Sequence, residues 1–520
     1  SVADFSKKFY IRGYPMTDQS EANPKLNRLK AICGEIYDLN TAAALLEWDQ
    51  QVNMPPAAGQ DRAMQIARLN LLAHQIETST EYGELLEEMT SLRHQMPPES
   101  DDFCLLRVLQ RNYLRALRIP DEYVEEFSRE TGTAFNIWEK ARAADDFAMF
   151  RPALERIFNL RRQYSDFFAP HDHIYDPLLE DFEPGLKTAE VLRIFAILRE
   201  EQTALLQEIM AKTPPDSQIL AGNFAADKQW LLTKESASLI GFDWKRGRLD
   251  KSTHPFTTTI NLNDVRITTH IHENNLISAL YSTIHECGHA IYEQGIAPEL
   301  NRSPLGTGAS LAIHESQSRL WENIVGRSRD FLTTFYPRIQ TAFPETFNTV
   351  SLENFYRAIN LVCPSLIRTE SDEMTYNLHI MLRLELEIEV LEKRIAVSDL
   401  PDAWRSKMQN YLGITPNNDV DGVLQDVHWA TGAIGYFPTY ALGNLISAQI
   451  WQTASRDLPD LSQQLRNGNT VALRNWLHEK LYRHGSKFYP SELVQKITGS
   501  PIDPKPYLDY LKNKYREIYN

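Results

Sequence analysis

In the stretch Ile277-Ser278-Ala279-Leu280-Tyr281-Ser282-Thr283-Ile284-His285-Glu286-Cys287-Gly288-His289, the apolar residues Ile277, Leu280, Tyr281 and Ile284 recur at helical spacing and predict a helix. That helix runs into an HExxH pattern. At 3.6 residues per turn, His285 and His289 share a face and can both turn an imidazole nitrogen toward a single divalent ion. Glu286 projects beside them, placed to polarise a metal-bound water rather than to bind the metal. Cys287 is a soft donor by composition, but between two ligands on a helix it points off their face, and a buried thiol is expected. His and Glu are also common on surface helices, so the pattern requires a third ligand before it counts as a site.

The best candidate is Glu315, within His314-Glu315-Ser316-Gln317-Ser318-Arg319-Leu320-Trp321-Glu322-Asn323. Here Ile313, Leu320 and Ile324 gather on one helical face and Glu315 falls on the opposite one. Pro298, Asn301, Pro304, Gly306 and Gly308 lie between the two segments and let the chain reverse. Two His and one Glu leave a coordination position for water, as a catalytic site needs. His314 is the rival ligand, about 100° away from Glu315 around a helix. Just before the first helix, Thr257–Ile260 and Val265–Thr269 are β-branched runs around Asn261-Leu262-Asn263-Asp264, which predicts a small hairpin. Such a hairpin either braces the metal helix or offers an edge strand to a peptide.

With these motifs the chain resembles the thermostable carboxypeptidase Taq family of HExxH metallocarboxypeptidases. Five further blocks match it in order: His254-Pro255-Phe256, Asp264-Val265-Arg266-Ile267-Thr268, Ile367-Arg368-Thr369-Glu370-Ser371-Asp372, Gly422-Val423-Leu424-Gln425-Asp426-Val427-His428-Trp429, and Gly435-Tyr436-Phe437-Pro438-Thr439-Tyr440. Weaker agreement extends through Trp48-Asp49-Gln50, Met54-Pro55-Pro56, Tyr175-Asp176 and Glu183-Pro184-Gly185, so nearly the whole chain is covered. Ser371 stands where the family usually has Ala, a small-for-small change.

The resemblance implies a mainly α protein, a single large helical body with a deep active-site cleft and a small β-hairpin or sheet beside the metal helix. It also implies a homodimer, broad specificity, and peptide substrates with a free C-terminus. A terminal carboxylate calls for a fixed cation. Arg368 is the first choice, since its fork pairs with carboxylates and the resemblance places its motif at the cleft; Arg266 is the alternative. Asp372, four residues beyond Arg368, can instead tie it up in an intrahelical pair. Tyr436 and His428 offer donors to the oxyanion formed during attack, although core packing is the ordinary role for both residue types. The expected mechanism has His285, His289 and Glu315 holding one divalent metal, Zn by site type with Co or Mn also accepted, and Glu286 as base. Endopeptidases and aminopeptidases share HExxH with a downstream Glu, and a metal-stabilised helical binding protein is the non-enzymatic alternative.

Composition agrees with this reading. The chain has 520 residues with 42% hydrophobic content, enough for a large core. Its formal net charge of −15 disfavours nucleic acid. Cys33, Cys104, Cys287 and Cys363 are too few and scattered for a disulfide framework, which fits a cytoplasmic protein. The chain shows no long apolar run or basic-then-apolar start, so no membrane is expected. With Met16 preceding the family-like region, residues 1–20 read as a leader or added extension, and 21–520 as a single helical metallocarboxypeptidase domain. His171-Asp172-His173 with Asp176, and His270 with His272 and Glu273, look metal-like. Turn chemistry explains the first, and the second lacks convergent ligands. Leu382–Val390 alternates like a strand, but its Leu, Glu and Arg favour helix.

Overall fold

The structure, a computed structural model, describes residues 23–520. The leader or extension read at 1–20 lies outside the described residues. The architecture is mainly α with one three-stranded sheet. Its helices include α1 (Pro24–Val52), α2 (Asp101–Ala116), α3 (Leu276–Gln294), α4 (Leu311–Arg319), α5 (Tyr376–Leu391) and α6 (Pro438–Asp457). A continuous cluster of buried apolar side chains runs from Leu26 to Tyr519.

Helix α3 begins where the Asn275 side chain accepts the Ser278 N–H at 3.1 Å, satisfying one of the orphan donors of a first turn. Leu280, Tyr281 and Ile284 are buried as their spacing requires, and burial continues round the helix through Ala290, Ile291 and Tyr292. Helix α4 is capped twice. Ser310 Oγ accepts the Ile313 N–H at 3.2 Å, and the buried Glu183 carboxylate accepts the Ala312 N–H at 2.6 Å. Beyond Arg319 the helix widens to π geometry over Leu320–Gly326, with the Arg327 N–H reaching back to the Glu322 carbonyl.

Two glycines set how close α4 lies to its neighbours. A Cβ at Gly288 of α3 would stand 2.6 Å from the Gln317 carbonyl oxygen and from Ser318 Cα, and one at Gly443 of α6 would stand 2.7 Å from Glu315 Cγ. The backbone carrying Glu315 is thus clamped between two residues without side chains. Gly288→Ala, inside the HExxH turn, is expected to force α3 and α4 apart and cost about 1–3 kcal/mol as overpacking, readable in chemical denaturation.

The sheet has strand order β1-β3-β2, with β1 Gly247–Lys251, β2 Thr257–Asn261 and β3 Asp264–Thr269. β2 and β3 form the expected antiparallel hairpin, Thr257 opposite Ile267. β1, which pairs parallel to β3 with Gly247 opposite Val265, was not expected, because Gly247-Arg248-Leu249-Asp250-Lys251 has no β-branched residue. Charged side chains suit an edge strand. Leu382–Val390 lies within α5, which is buried almost all round, so its alternation reflects enclosure on every side rather than a strand.

Candidate metal centre

Among the described residues, His285, His289 and Glu315 form a group whose donor atoms all lie within 4.8 Å of one another. The Nε2 atoms of His285 and His289 stand 3.6 and 3.4 Å from Glu315 Oε2. Donors held at roughly 2.0–2.2 Å from a tetrahedral ion are themselves about 3.3 Å apart, so this set fits a divalent cation with little rearrangement. Two of the three charge states suit a cation directly, while at His285 burial is outweighed by Glu315 and Glu322, which raise the imidazole, so an ion there takes the place of a proton. Burial, assisted by His314, holds the His289 imidazole down to about 3, in the neutral form that ligates. Burial would raise the Glu315 carboxyl, but Arg319, His285 and His289 outweigh it and keep it well below the usual carboxylate range.

Each imidazole is oriented from behind by its other nitrogen. His285 Nδ1–H donates to Glu322 Oε2 at 2.9 Å. Burial alone would raise Glu322, yet His285, Arg319 and Arg327 hold its carboxyl down at about 2, leaving it an acceptor. His289 is served by a relay. Its Nδ1 faces His314 Nδ1 at 2.5 Å, and His314 Nε2 faces Glu293 Oε1 at 2.8 Å. With both Nε2 atoms of the HExxH pair kept for metal, these partners fix the tautomers: His289 donates to His314, and His314 donates to Glu293. His314, the rival ligand by sequence, thus lies behind His289, between it and Glu293. Glu322→Gln should lower metal affinity about 10–100-fold with the fold intact, measured by competition against a chromogenic chelator.

Glu286 is buried beside this centre, its Oε2 accepting the Thr257 hydroxyl of β2 at 2.6 Å. The same hydroxyl lies 3.0 Å from the Glu286 carbonyl, so the hairpin braces the first turn of the motif. Burial raises the Glu286 carboxyl, against His285 and Thr257, which lower it. Cys287 is buried and its thiol is pushed well up by burial, as expected of a thiol turned away from the ligands.

The later motifs come together as one polar wall. Tyr436 packs edge-on to Phe182 at 5.1 Å between ring centres and lies 5.3 Å from His428 and 5.2 Å from Tyr440. Burial and then Glu315 raise its phenol, which stays protonated. His428 Nε2 is 3.2 Å from the Tyr440 hydroxyl, while its Nδ1 has no hydrogen-bond partner among the described residues. Burial holds His428 down to about 4, hence neutral and a single N–H donor.

Arg368 is buried, but Asp372 is not its partner. Asp372 accepts from the backbone N–H groups of Cys363, Met374 and Thr375. Arg368 instead places Nε and Nη2 on Asp426 Oδ1 at 3.0 and 2.8 Å and Nη1 on the Tyr376 hydroxyl at 2.9 Å. Arg383, fully buried, takes the other oxygen of Asp426 at 2.6 Å. Arg266 forms a bidentate pair with Asp264, at 2.8 and 2.7 Å, and lies over the Trp48 ring at 4.3 Å. The strand itself thus supplies its counter-charge. Behind the wall, the buried Glu387 accepts from Tyr175, Trp429 and the Gly435 N–H, tying together the two segments that carry His428 and Tyr436.

Among the described residues, neither of the remaining polar clusters brings three ligands together. Lys187 pairs with Asp172 and Asp176, and His173 accepts from the Tyr175 N–H. His270 Nδ1 meets the Ser252 carbonyl at 2.8 Å. Residues that sequence reasoning passed over include Glu322, Glu293, Thr257, Tyr376, Tyr440 and Arg383. Glu322 follows Glu315 by two helical turns and Glu293 follows His289 by one, so their spacing was a usable signal. Arg383 and Asp426 meet only through tertiary packing and leave none.

The chain matches known proteins along nearly its whole length. Residues 28–515 match the family model described as carboxypeptidase Taq (M32) metallopeptidase. The chain is 40% identical over 491 residues to thermostable carboxypeptidase 1 of Thermus thermophilus, covering 92% of this chain and 96% of the relative. It is 38% identical over 493 residues to carboxypeptidase 1 of Bacillus subtilis, covering 93% and 98%. The crystal structure of the M32 carboxypeptidase from Deinococcus radiodurans R1 superposes with a TM-score of 0.93 at 40% identity, over 96% of this chain and all of that one.

Proposed function

This chain belongs to the carboxypeptidase Taq family of metallopeptidases, and from that premise we propose that it removes C-terminal residues from peptides with Glu286 as general base and His285, His289 and Glu315 as metal ligands. The observation that carries the reading is the meeting of both HExxH imidazoles with Glu315 Oε2 at 3.6 and 3.4 Å, beside a buried carboxylate that is not part of the ligand set. When bound, a divalent ion supplies Lewis acidity to the scissile carbonyl and lowers the pKa of water. Zinc is the ion proposed, with cobalt or manganese acceptable to the same donors.

Glu286 Oε2 takes the proton of the attacking water and returns it to the leaving amine. Its bond from Thr257 holds the carboxylate in place. Tyr436, with a protonated phenol, and neutral His428 donate to the oxygen that gains charge. Arg368 orients the terminal carboxylate. Support for this last assignment is a matter of charge: Arg368 and Arg383 share the single carboxylate of Asp426, which leaves one surplus positive charge in a buried wall. Arg266, neutralised by Asp264 on its own strand, is the weaker alternative. β2 is the outer strand of its sheet and touches Glu286, which supports backbone pairing with an extended peptide.

The reading further takes residues 21–520 as one domain, supported by the continuous core, and a homodimer with broad residue preference, supported by the family resemblance. Scattered free cysteines support a cytoplasmic location. None of the described helices is long and apolar enough to cross a membrane. A timed digest of one peptide with a free and an amidated C-terminus, followed by mass spectrometry with and without chelator, tests the activity. Stepwise loss from the free C-terminus, abolished by chelator and slowed sharply by amidation, is expected. Internal cleavage of the amidated peptide would make the protein an endopeptidase, and trimming from a free amine an aminopeptidase.

A further inference from the structure

Helix α2 carries Arg107, Arg111 and Arg115 at spacings of four, with Arg118 in the turn just beyond its end, a cationic stripe on a chain whose net charge is −15. Two of these are neutralised. Arg107 donates to Glu492 at 3.2 Å and to the Lys487 carbonyl at 2.5 Å, and Arg115 pairs with Asp181 at 2.5 Å. Arg111, between them, bonds only to the Asn112 side chain, at 3.2 and 3.0 Å, and lies over the Tyr489 ring at 5.9 Å; among the described residues it has no carboxylate in pairing range.

Arg111 is half-buried against a cavity of about 140 Å³, closed on the other side by the Pro304–Ala309 loop and by Ser486, Phe488 and Tyr489. Of the neighbouring acids, Glu492 is paired with Arg107, and Glu180 acts on Arg111 only from beyond pairing distance. Glu492 also accepts the Tyr489 N–H at 2.9 Å, and Glu180 accepts the Gly185 N–H at 2.7 Å. Withdrawing a guanidinium from water with no carboxylate in contact is unfavourable, and the partner that suits its fork is an anion. We propose that this cavity binds a small oxyanion, a carboxylate or phosphate, held by the Arg111 fork with Arg107 beside it. The volume lies below the ~300 Å³ typical of pockets for drug-sized ligands, which excludes a nucleotide. The site is separate from the metal centre, but its loop leans on that centre from behind: the Ala309 N–H donates to the Tyr292 hydroxyl at 3.0 Å, and a Cβ at Gly308 would come within 2.9 Å of the His314 ring.

The test is thermal unfolding of the whole metal-loaded protein, titrated separately with inorganic phosphate and with acetate at ionic strength held constant by chloride. A ligand of the native state raises the midpoint saturably. At least one of the two anions is expected to do so, with apparent affinity at least tenfold weaker in Arg111→Gln and unchanged in Arg118→Gln. Should the neutral variant fail to fold, Arg111→Lys keeps the charge without the fork and is expected to bind several-fold more weakly. Titrations that coincide in wild type and the Arg111 variants, or that never exceed chloride, overturn the proposal; the first would locate the anion elsewhere, including at the metal.

Discussion

Glu286→Gln leaves one divalent ion per chain and lowers kcat by roughly 10²–10⁴-fold, the range associated with loss of a positioned general base. Glutamine is close in volume and its side-chain oxygen can still accept from Thr257, so the 2.6 Å bond that braces β2 against α3 survives. What disappears is the ability to take a proton from water and return it to the amine. Metal analysis by mass spectrometry alongside initial rates on a free-C-terminus peptide separates this from a structural defect. Activity within a few-fold of wild type would remove Glu286 from the mechanism. Loss of the ion together with activity would make it a determinant of metal binding instead.

Glu315→Gln has the second large effect, on the ion rather than on the chemistry. Changing a partner behind a ligand typically costs 10–100-fold in affinity, so losing the ligand charge itself should cost at least about 100-fold, measured by chelator competition. Glutamine keeps one acceptor oxygen for Arg319 Nε, now 2.7 Å from Glu315 Oε1, while its amide N–H can donate to Ser318 Oγ, which lies 2.9 Å from Oε2 and can itself donate to the backbone carbonyl of residue 315. The helix should hold its place between Gly288 and Gly443. Arg319 then becomes a half-buried cation next to two imidazoles with one anion fewer, and this further opposes a divalent charge. Affinity unchanged in this variant would assign the third ligand to another group.

The helix of the HExxH motif was legible because its apolar stripe and its ligand spacing obey the same 3.6-residue period. Glu315 was legible for a weaker reason: its own helix could be read, but nothing local says that α4 crosses α3 at Gly288 closely enough for a carboxylate to reach the pair. The hairpin followed from β-branched runs around Asn and Asp, whereas β1 was hidden by charged residues whose pairing depends on β3 being present first. Arg368 shows the limit of local reasoning. Asp372 is four residues away and looked like a partner, yet Arg368 lies in a single tight turn rather than a continuing helix, and its counter-ion comes from Asp426, 58 residues on. Outer partners such as Glu322 could have been found by asking what orients each imidazole once its metal-facing nitrogen is assigned.

Convergence of three side chains from α3 and α4 on one cation is the claim on which the functional reading rests, and anomalous diffraction at the zinc absorption edge from zinc-loaded crystals tests it most directly. A single strong peak about 2.0–2.2 Å from His285 Nε2, His289 Nε2 and a Glu315 oxygen is the predicted result. A peak that excludes Glu315, or one lodged instead between His314 and Glu293, would contradict it.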